Sequence, residues 1–132
     1  MLKYMLDTNI AIYVIKRRPA QALSTFNQHA GQLCISAITL SELLHGVEKS
    51  AKPDHNLRQV EDFVSRLMVL NYGNKAAAHY GQIRAELERK GNPIGVNDLH
   101  IAGHARSEGL TLVSNNLKEF ERVAALRLEN WL

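Results

Sequence analysis

Leu2-Lys3-Tyr4-Met5-Leu6-Asp7-Thr8-Asn9, residues 2–9, decides the fold. Leu2–Leu6 is a short apolar run of the kind a buried strand carries, and the polar triplet Asp7-Thr8-Asn9 reads as a strand end passing into a helix start. Ile10–Lys16 continues as a short helix, stopped by Arg17-Arg18-Pro19. The same alternation recurs down the chain. Ala20–His29 reads as a second helix, Gly31-Gln32 as a turn and Leu33-Cys34-Ile35 as a second buried strand. Ser36 takes the N-cap position of a helix whose Leu40, Leu43, Leu44 and Val47 form an apolar stripe. Leu57, Val60, Val64 and Leu67 repeat that spacing, as do Ala76, Tyr80, Ile83 and Leu87. Gly91–Val96 is a loop. Asn97-Asp98 opens a helix running to about Ser107, and Gly109 stands where a C-cap glycine belongs. Leu110–Val113 is a third strand, ending at Ser114-Asn115-Asn116. A short helix over Leu117–Glu121 and a last strand near Leu126–Leu128 complete the chain.

Strands alternating with helices predict an α/β domain with a mostly parallel sheet. Right-handed crossovers place every strand's C-terminal end on one edge, where open α/β sheets build their sites. At 132 residues the chain has room for one domain, residues 1–132. A hydrophobic fraction of 45% and a charged fraction of 22% exclude a disordered, collagenous or coiled-coil chain. Mean hydropathy is −0.21, and no apolar run approaches the roughly 18 residues of a membrane helix. Asp7 interrupts the first apolar stretch too early for a signal peptide. The single cysteine, Cys34, fits a reducing compartment, so the expected location is the cytoplasm. Sixteen Lys and Arg against 13 Asp and Glu give a net charge of +3, a mild preference for a polyanionic partner.

The acids carry more information than the total charge. Asp7 ends a buried strand, where a carboxylate is costly unless something compensates it; its structural alternative is a helix N-cap. Asp98 shares a helical face with Ile101, Ala102 and Ala105 and so points inward; its alternative is a first-turn acid favoured by the helix dipole. Glu42 lies off the leucine stripe, on a face with Ile38, His45 and Lys49, where a solvated glutamate is the ordinary reading. Gathered at one sheet edge with Ser114 and Asn116, these three carboxylates repel one another, and a divalent cation reverses that cost. Oxygen-only ligands suit Mg²⁺ or Mn²⁺, which keep several waters and bridge to phosphates.

The segments Met5-Leu6-Asp7-Thr8-Asn9, Ser36-Ala37-Ile38-Thr39-Leu40-Ser41-Glu42-Leu43, Pro93-Ile94-Gly95-Val96-Asn97-Asp98 and Val113-Ser114-Asn115-Asn116 with Glu119-Phe120 resemble, in order and spacing, the PIN-domain ribonucleases, and more closely the VapC toxins of bacterial VapBC toxin–antitoxin pairs. That resemblance implies a three-layer α/β/α domain with a central parallel sheet of about five strands. It also implies a homodimer and a Mg²⁺- or Mn²⁺-dependent endoribonuclease held inactive by a VapB-type antitoxin. The family's acids map onto Asp7, Glu42 and Asp98. A fourth acid of many members maps onto Asn116, here an amide, and Glu119 one helical turn on is a candidate for the missing charge. Relatives of this type cut initiator tRNA in the anticodon region. The mechanism so implied has Asp7 and Asp98 holding the metal, directly or through water. Glu42 orients or deprotonates the attacking water, and Asn116 hydrogen-bonds a water of the ion's shell or a phosphate oxygen.

Other signals are read more plainly. His100 and His104 have a spacing that can bind zinc, but no glutamate follows His100, so a surface or packing pair is expected. Lys16-Arg17-Arg18 and Arg84, Arg89 and Lys90 are solvated cations available to steer RNA, with Arg84 the better candidate for an exposed helix face. Trp131 is a packing or dimer contact, and Cys34 an inert core thiol. Two other functions compete. One is a phosphoryl-transfer domain with Asp7 as nucleophile, disfavoured because Asn9 stands where a phosphatase needs its second acid. The other is a non-catalytic RNA- or partner-binding module in which the acids only cap helices.

Overall fold

In a computed structural model describing all of residues 1–132, five strands form one parallel sheet in the order β3-β2-β1-β4-β5. The strands are β1 (Tyr4–Leu6), β2 (Leu33–Ser36), β3 (Met68–Leu70), β4 (Thr111–Val113) and β5 (Leu128–Glu129). The helices are α1 (Thr8–Lys16), α2 (Ala20–Gln28), α3 (Ala37–Glu48), α4 (Pro53–Val64), α5 (Asn74–Arg89), α6 (Val96–Ser107) and α7 (Leu117–Phe120). From β1 the chain first builds outward on one side, through β2 to β3. It then crosses back to lay β4 and β5 on the other side of β1. The reversal leaves a crevice outside the C-terminal ends of β1 and β4.

Strand periodicity explains the three layers, because alternate side chains point to opposite faces. Leu6, Leu33, Ile35 and Val113 face one way and pack with Ile10, Val14, Phe26, Leu43, Val47, Val60 and Phe63 of α1–α4. Met5, Cys34 and Leu112 face the other way and pack with Ile83, Leu87, Leu99, Ile101 and Phe120 of α5–α7. Fully burying a side chain of this size stabilises by about 1.5–3 kcal/mol. The tightest seam joins α5 to α6 at Gly103, where a Cβ would lie 2.9 Å from the backbone nitrogen of Tyr80. Any larger residue would force the two helices apart.

The α/β/α layering and the number of strands agree with expectation, and two local readings are corrected. Leu67 is not part of the α4 stripe: the helix ends at Val64, and Met68–Leu70 pairs in parallel with Cys34–Ser36 as the edge strand β3. The run Leu67-Met68-Val69-Leu70 is uniformly apolar, so periodicity alone cannot separate strand from helix there. The stripes are also narrower than their leucines suggest, since Leu44 and Leu57 stay 38% and 37% exposed. Thr39, Leu43 and Val47 form the buried side of α3 instead.

Four single residues resolve as packing. Trp131 is buried, stacked on His29 at 5.2 Å and edge-on to Tyr4. Cys34 is buried, and desolvation pushes its thiol up to about 12, far from a reactive range. His100 and His104 bond separately, to the Tyr72 hydroxyl and the Ser36 hydroxyl, and share no ligand position. No helix is long and apolar enough to cross a membrane.

Candidate active site

Asp7 follows β1 directly, and its backbone N–H donates to Val113 of β4 at 3.0 Å, so it sits at the mouth of the crevice. The side chain performs two tasks at once. Its Oδ1 accepts from the Ile10 N–H at 2.9 Å, capping α1, and its carboxylate also bonds the Ser114 hydroxyl at the end of β4. The N-cap and site readings of Asp7 are therefore compatible. Burial raises its pKa, opposed by the Ser114 and Ile10 hydrogen bonds and reinforced by the charge of Glu42.

Asp98 lies in the first turn of α6, its Oδ2 close over Gly95, where a Cβ would stand 3.7 Å away. Its pKa is raised to about 6, first by burial and then by the neighbouring charges of Glu119, Asp7 and Glu42, with a Glu119 hydrogen bond adding to the effect. Mutual repulsion of this kind requires the four acids to share one region. Glu42 is half-buried on α3 and held at both oxygens. The Thr8 hydroxyl donates to Oε1 at 2.5 Å, and the Asn97 amide donates to Oε2 at 3.1 Å. Thr39 supports Thr8, their hydroxyls 3.2 Å apart.

Asn116, expected to hydrogen-bond a water of the ion's shell or a phosphate oxygen, also bonds within the protein. Its backbone N–H donates to Ser114 Oγ at 2.9 Å, and its side-chain amide donates to Glu119. Glu119 lies beside Asp98 and raises its pKa, by charge and by accepting from the Asp98 carboxyl when that is protonated. Asn116 thus reaches the acids through Glu119, and Glu119 brings the fourth carboxylate. Thr8 and Asn97 are additional residues of the site that the sequence reading passed over. Their signal was adjacency, since each stands next to one of the acids in the chain.

The donor set is all oxygen, and none of these four carboxylates has an ion pair; every salt bridge in the chain lies elsewhere. Uncompensated carboxylates at one sheet edge suit a hard divalent cation. No three Asp, Glu, His or Cys side chains converge closely enough to grip one ion together. The set therefore fits an ion bound by one or two carboxylates that keeps several of its waters, as Mg²⁺ does.

A large groove lies on the α1–α4 side of the molecule. It measures about 820 Å³, with an apolar floor of Val14, Leu23, Phe26 and Phe63 and a rim that includes Lys16, Arg17, Arg18, Arg58 and Arg66. Lys16-Arg17-Arg18 is therefore one wall of a built feature as well as a solvated helix end. Arg84 stands on the exposed face of α5, bonded to the Tyr80 hydroxyl at 2.6 Å and paired with Glu88 at 3.4 Å.

Comparison with known proteins agrees with this arrangement. The PIN domain family matches residues 4–126. The chain is 65% identical to Ribonuclease VapC2 of Haemophilus influenzae over 132 residues, all of both chains. It is 57% identical to the tRNA(fMet)-specific endonuclease VapC of Shigella flexneri over 131 residues, 99% of each. Among solved structures, the DNA-bound VapBC complex of Salmonella typhimurium superposes with a TM-score of 0.96 at 55% identity, covering 100% of both chains. VapBC2 of Rickettsia felis, bound to a promoter DNA fragment, gives 0.94 at 44% identity, covering 99% of this chain and 100% of that one. With the carboxylates gathered beyond β1 and β4 and relatives that span its whole length, the chain belongs to the PIN-domain family and, within it, to the VapC proteins.

Proposed function

We propose that the protein is the toxin of a toxin–antitoxin pair, an endoribonuclease that hydrolyses RNA phosphodiesters with the help of Mg²⁺ or Mn²⁺. The observation that carries the chemistry is the uncompensated group of Asp7, Glu42, Asp98 and Glu119 at the sheet edge. When bound, the cation lowers the pKa of the attacking water and stabilises the charge that builds on the phosphorus oxygens. Asp7 and Asp98 would hold that cation, Asp7 fixed in place by the Ile10 N–H and Ser114. Glu42 accepts the attacking water's proton. Its oxygens already take hydrogen bonds from Thr8 and Asn97, which fix its direction, and each retains a lone pair for the water. Asn116 aims Glu119 at Asp98 and so completes the charge of the group. Initiator tRNA is the substrate of choice, supported by the Shigella flexneri relative's name. Incubating the purified chain with total RNA, with and without Mn²⁺, and sequencing the new ends tests this. Expected are cuts confined to few sites, concentrated in the anticodon region of one tRNA, and absent when EDTA is added. Metal-independent cleavage would refute the mechanism.

The partner reading rests on a different face. VapBC complexes among the similar structures support a VapB-type antitoxin as the protein partner, and the groove between α1, α2 and α4 suits an amphipathic, acidic segment of one. Its floor offers apolar burial and its rim supplies cations. Reversing two rim charges, Arg18→Glu with Arg58→Glu, should weaken antitoxin binding about 10-fold or more while RNA cleavage by the free chain persists. Surface plasmon resonance read beside the cleavage assay checks both halves. A homodimer, implied by the family, belongs to the same reading. Met68 and Val96, 55% and 52% exposed, leave apolar surface for it.

A further inference from the structure

Two of the acids stand on neighbouring helices, Glu42 on α3 and Asp98 on α6, and the two helices touch through two polar contacts. One is the Asn97–Glu42 hydrogen bond at 3.1 Å, at the edge of the site. The other is buried. His104 of α6, 1% exposed, places Nδ1 2.8 Å from the hydroxyl of Ser36, 0% exposed, at the start of α3. Along α3 the contacts are six residues apart, and along α6 they are seven apart in the opposite direction. At 1.5 Å per residue these spans are about 9 Å and about 10.5 Å, nearly equal, so the helices run antiparallel as two rails with a polar rung at each end.

The buried rung is fully satisfied, and this fixes its protonation. Ser36 Oγ already accepts the Ile38 N–H at 3.1 Å, capping α3, so its own proton is free for His104 Nδ1. The other side of the ring faces the backbone of Asn71, just past β3, and with the Ser36 proton directed at Nδ1 the neutral ring carries its own proton on Nε2. Burial favours the neutral imidazole this tautomer requires. The edge of the Tyr72 ring closes the space at 5.4 Å. No buried side-chain nitrogen or oxygen in the protein lacks a partner. A single imidazole thus joins the end of β3, the cap of the helix carrying Glu42 and the helix carrying Asp98.

We infer that His104 is a positioning residue for the nuclease: through Ser36 it sets the register of α3 against α6 and thereby the separation of Glu42 from Asp98. The inference deepens the metal reading above and rests on it for its functional effect. The His104 side chain touches neither substrate nor ion. It acts as outer partners of metal sites do, by denying the acids other arrangements.

The test uses the full chain, Mn²⁺ and no RNA. Titration calorimetry on His104→Phe, which keeps a ring but loses both hydrogen bonds, should show Mn²⁺ affinity reduced by about 10- to 100-fold. His104→Gln, which keeps an acceptor and a donor, should recover most of it. Val60→Ala, which removes core contacts in α4 instead, should lower the melting temperature and leave Mn²⁺ affinity unchanged. If His104→Phe does not fold, Ser36→Ala removes the other half of the bond and should show the same loss. Wild-type affinity in His104→Phe or, failing that, in Ser36→Ala, or an equal loss in Val60→Ala, overturns the inference. Should the wild type itself bind no Mn²⁺, the metal reading fails and the positioning role is read from crystal structures instead. An Asn97–Glu42 contact opened in His104→Phe, or in Ser36→Ala if that variant does not fold, sustains it, and one left at its original distance overturns it.

Discussion

Asp7→Asn abolishes metal-dependent RNA cleavage and, in the absence of metal, raises the melting temperature. The first effect follows from charge: asparagine keeps the shape but not the anion that holds the cation. Losing several kcal/mol of transition-state stabilisation slows cleavage by about a thousandfold or more. The second follows from what else Asp7 does. Asparagine caps helices as well as aspartate, so the Ile10 N–H keeps its acceptor, while the amide NH2 that replaces the second oxygen donates to Ser114 Oγ instead of accepting from it. What disappears is a buried charge lying near Glu42. Each kcal/mol recovered raises the melting temperature of a chain this size by about 3–5 °C. Asp7→Ala separates the two tasks, because it also removes the cap and should cost about 1 kcal/mol relative to Asp7→Asn. Thermal melts in EDTA beside cleavage assays in Mn²⁺ read both effects. A binding module whose acids only cap helices would lose little function in Asp7→Asn, and an aspartyl-phosphate enzyme would show phosphorylation of Asp7 in the wild type.

The sequence discloses the site's acids because a carboxylate leaves a mark wherever apolar periodicity is strong. Asp7 interrupts a buried run, and Asp98 heads an inward stripe. Glu42 leaves a fainter mark, the apolar Ile38 one turn before it on the same face, and the family resemblance is what singles it out. The hydroxyls and amides that orient these acids are silent for a different reason. Thr8, Asn97 and Thr39 are ordinary residues at helix starts, and their roles depend on which elements the topology brings together. β3 stays hidden because an edge strand three residues long, joined to the end of a helix by apolar residues, has no period of its own. The packing role expected of His104 holds, and its burial and its hydroxyl partner add what its spacing from His100 does not encode, a structural bond between helices. The rungs between α3 and α6 join residues 55 and 68 positions apart, a separation no local pattern encodes.

The same electrostatics predict that metal-free protein loses stability as pH rises. Asp98 has a folded pKa of about 6 against a reference value of 3.8, and that of Asp7 is raised as well. Between those values the folded state binds more protons than the unfolded state, so stability falls with increasing pH. The contribution is fully present below the unfolded pKa of Asp98, is lost as pH passes through about 6, and is flat above it. A divalent cation reverses the trend, because it binds the ionised carboxylates. At a concentration 100-fold above its dissociation constant it adds about 2.7 kcal/mol, several degrees in melting temperature. Cleavage at subsaturating Mn²⁺ should also rise with pH as Asp98 ionises, with the cation drawing the rise below the metal-free value of about 6.

The binding of one divalent ion by Asp7 and Asp98, with Glu42 beside them, is tested most directly by melting curves with and without saturating Mn²⁺, recorded from pH 5 to pH 8 on the wild type and on Asp7→Asn/Asp98→Asn. The expected result is a Mn²⁺ stabilisation of the wild type that is small at pH 5, grows through about pH 6 and reaches several degrees at pH 8, with none in the double variant. Equal stabilisation of both proteins, or none in the wild type at any pH, would contradict it.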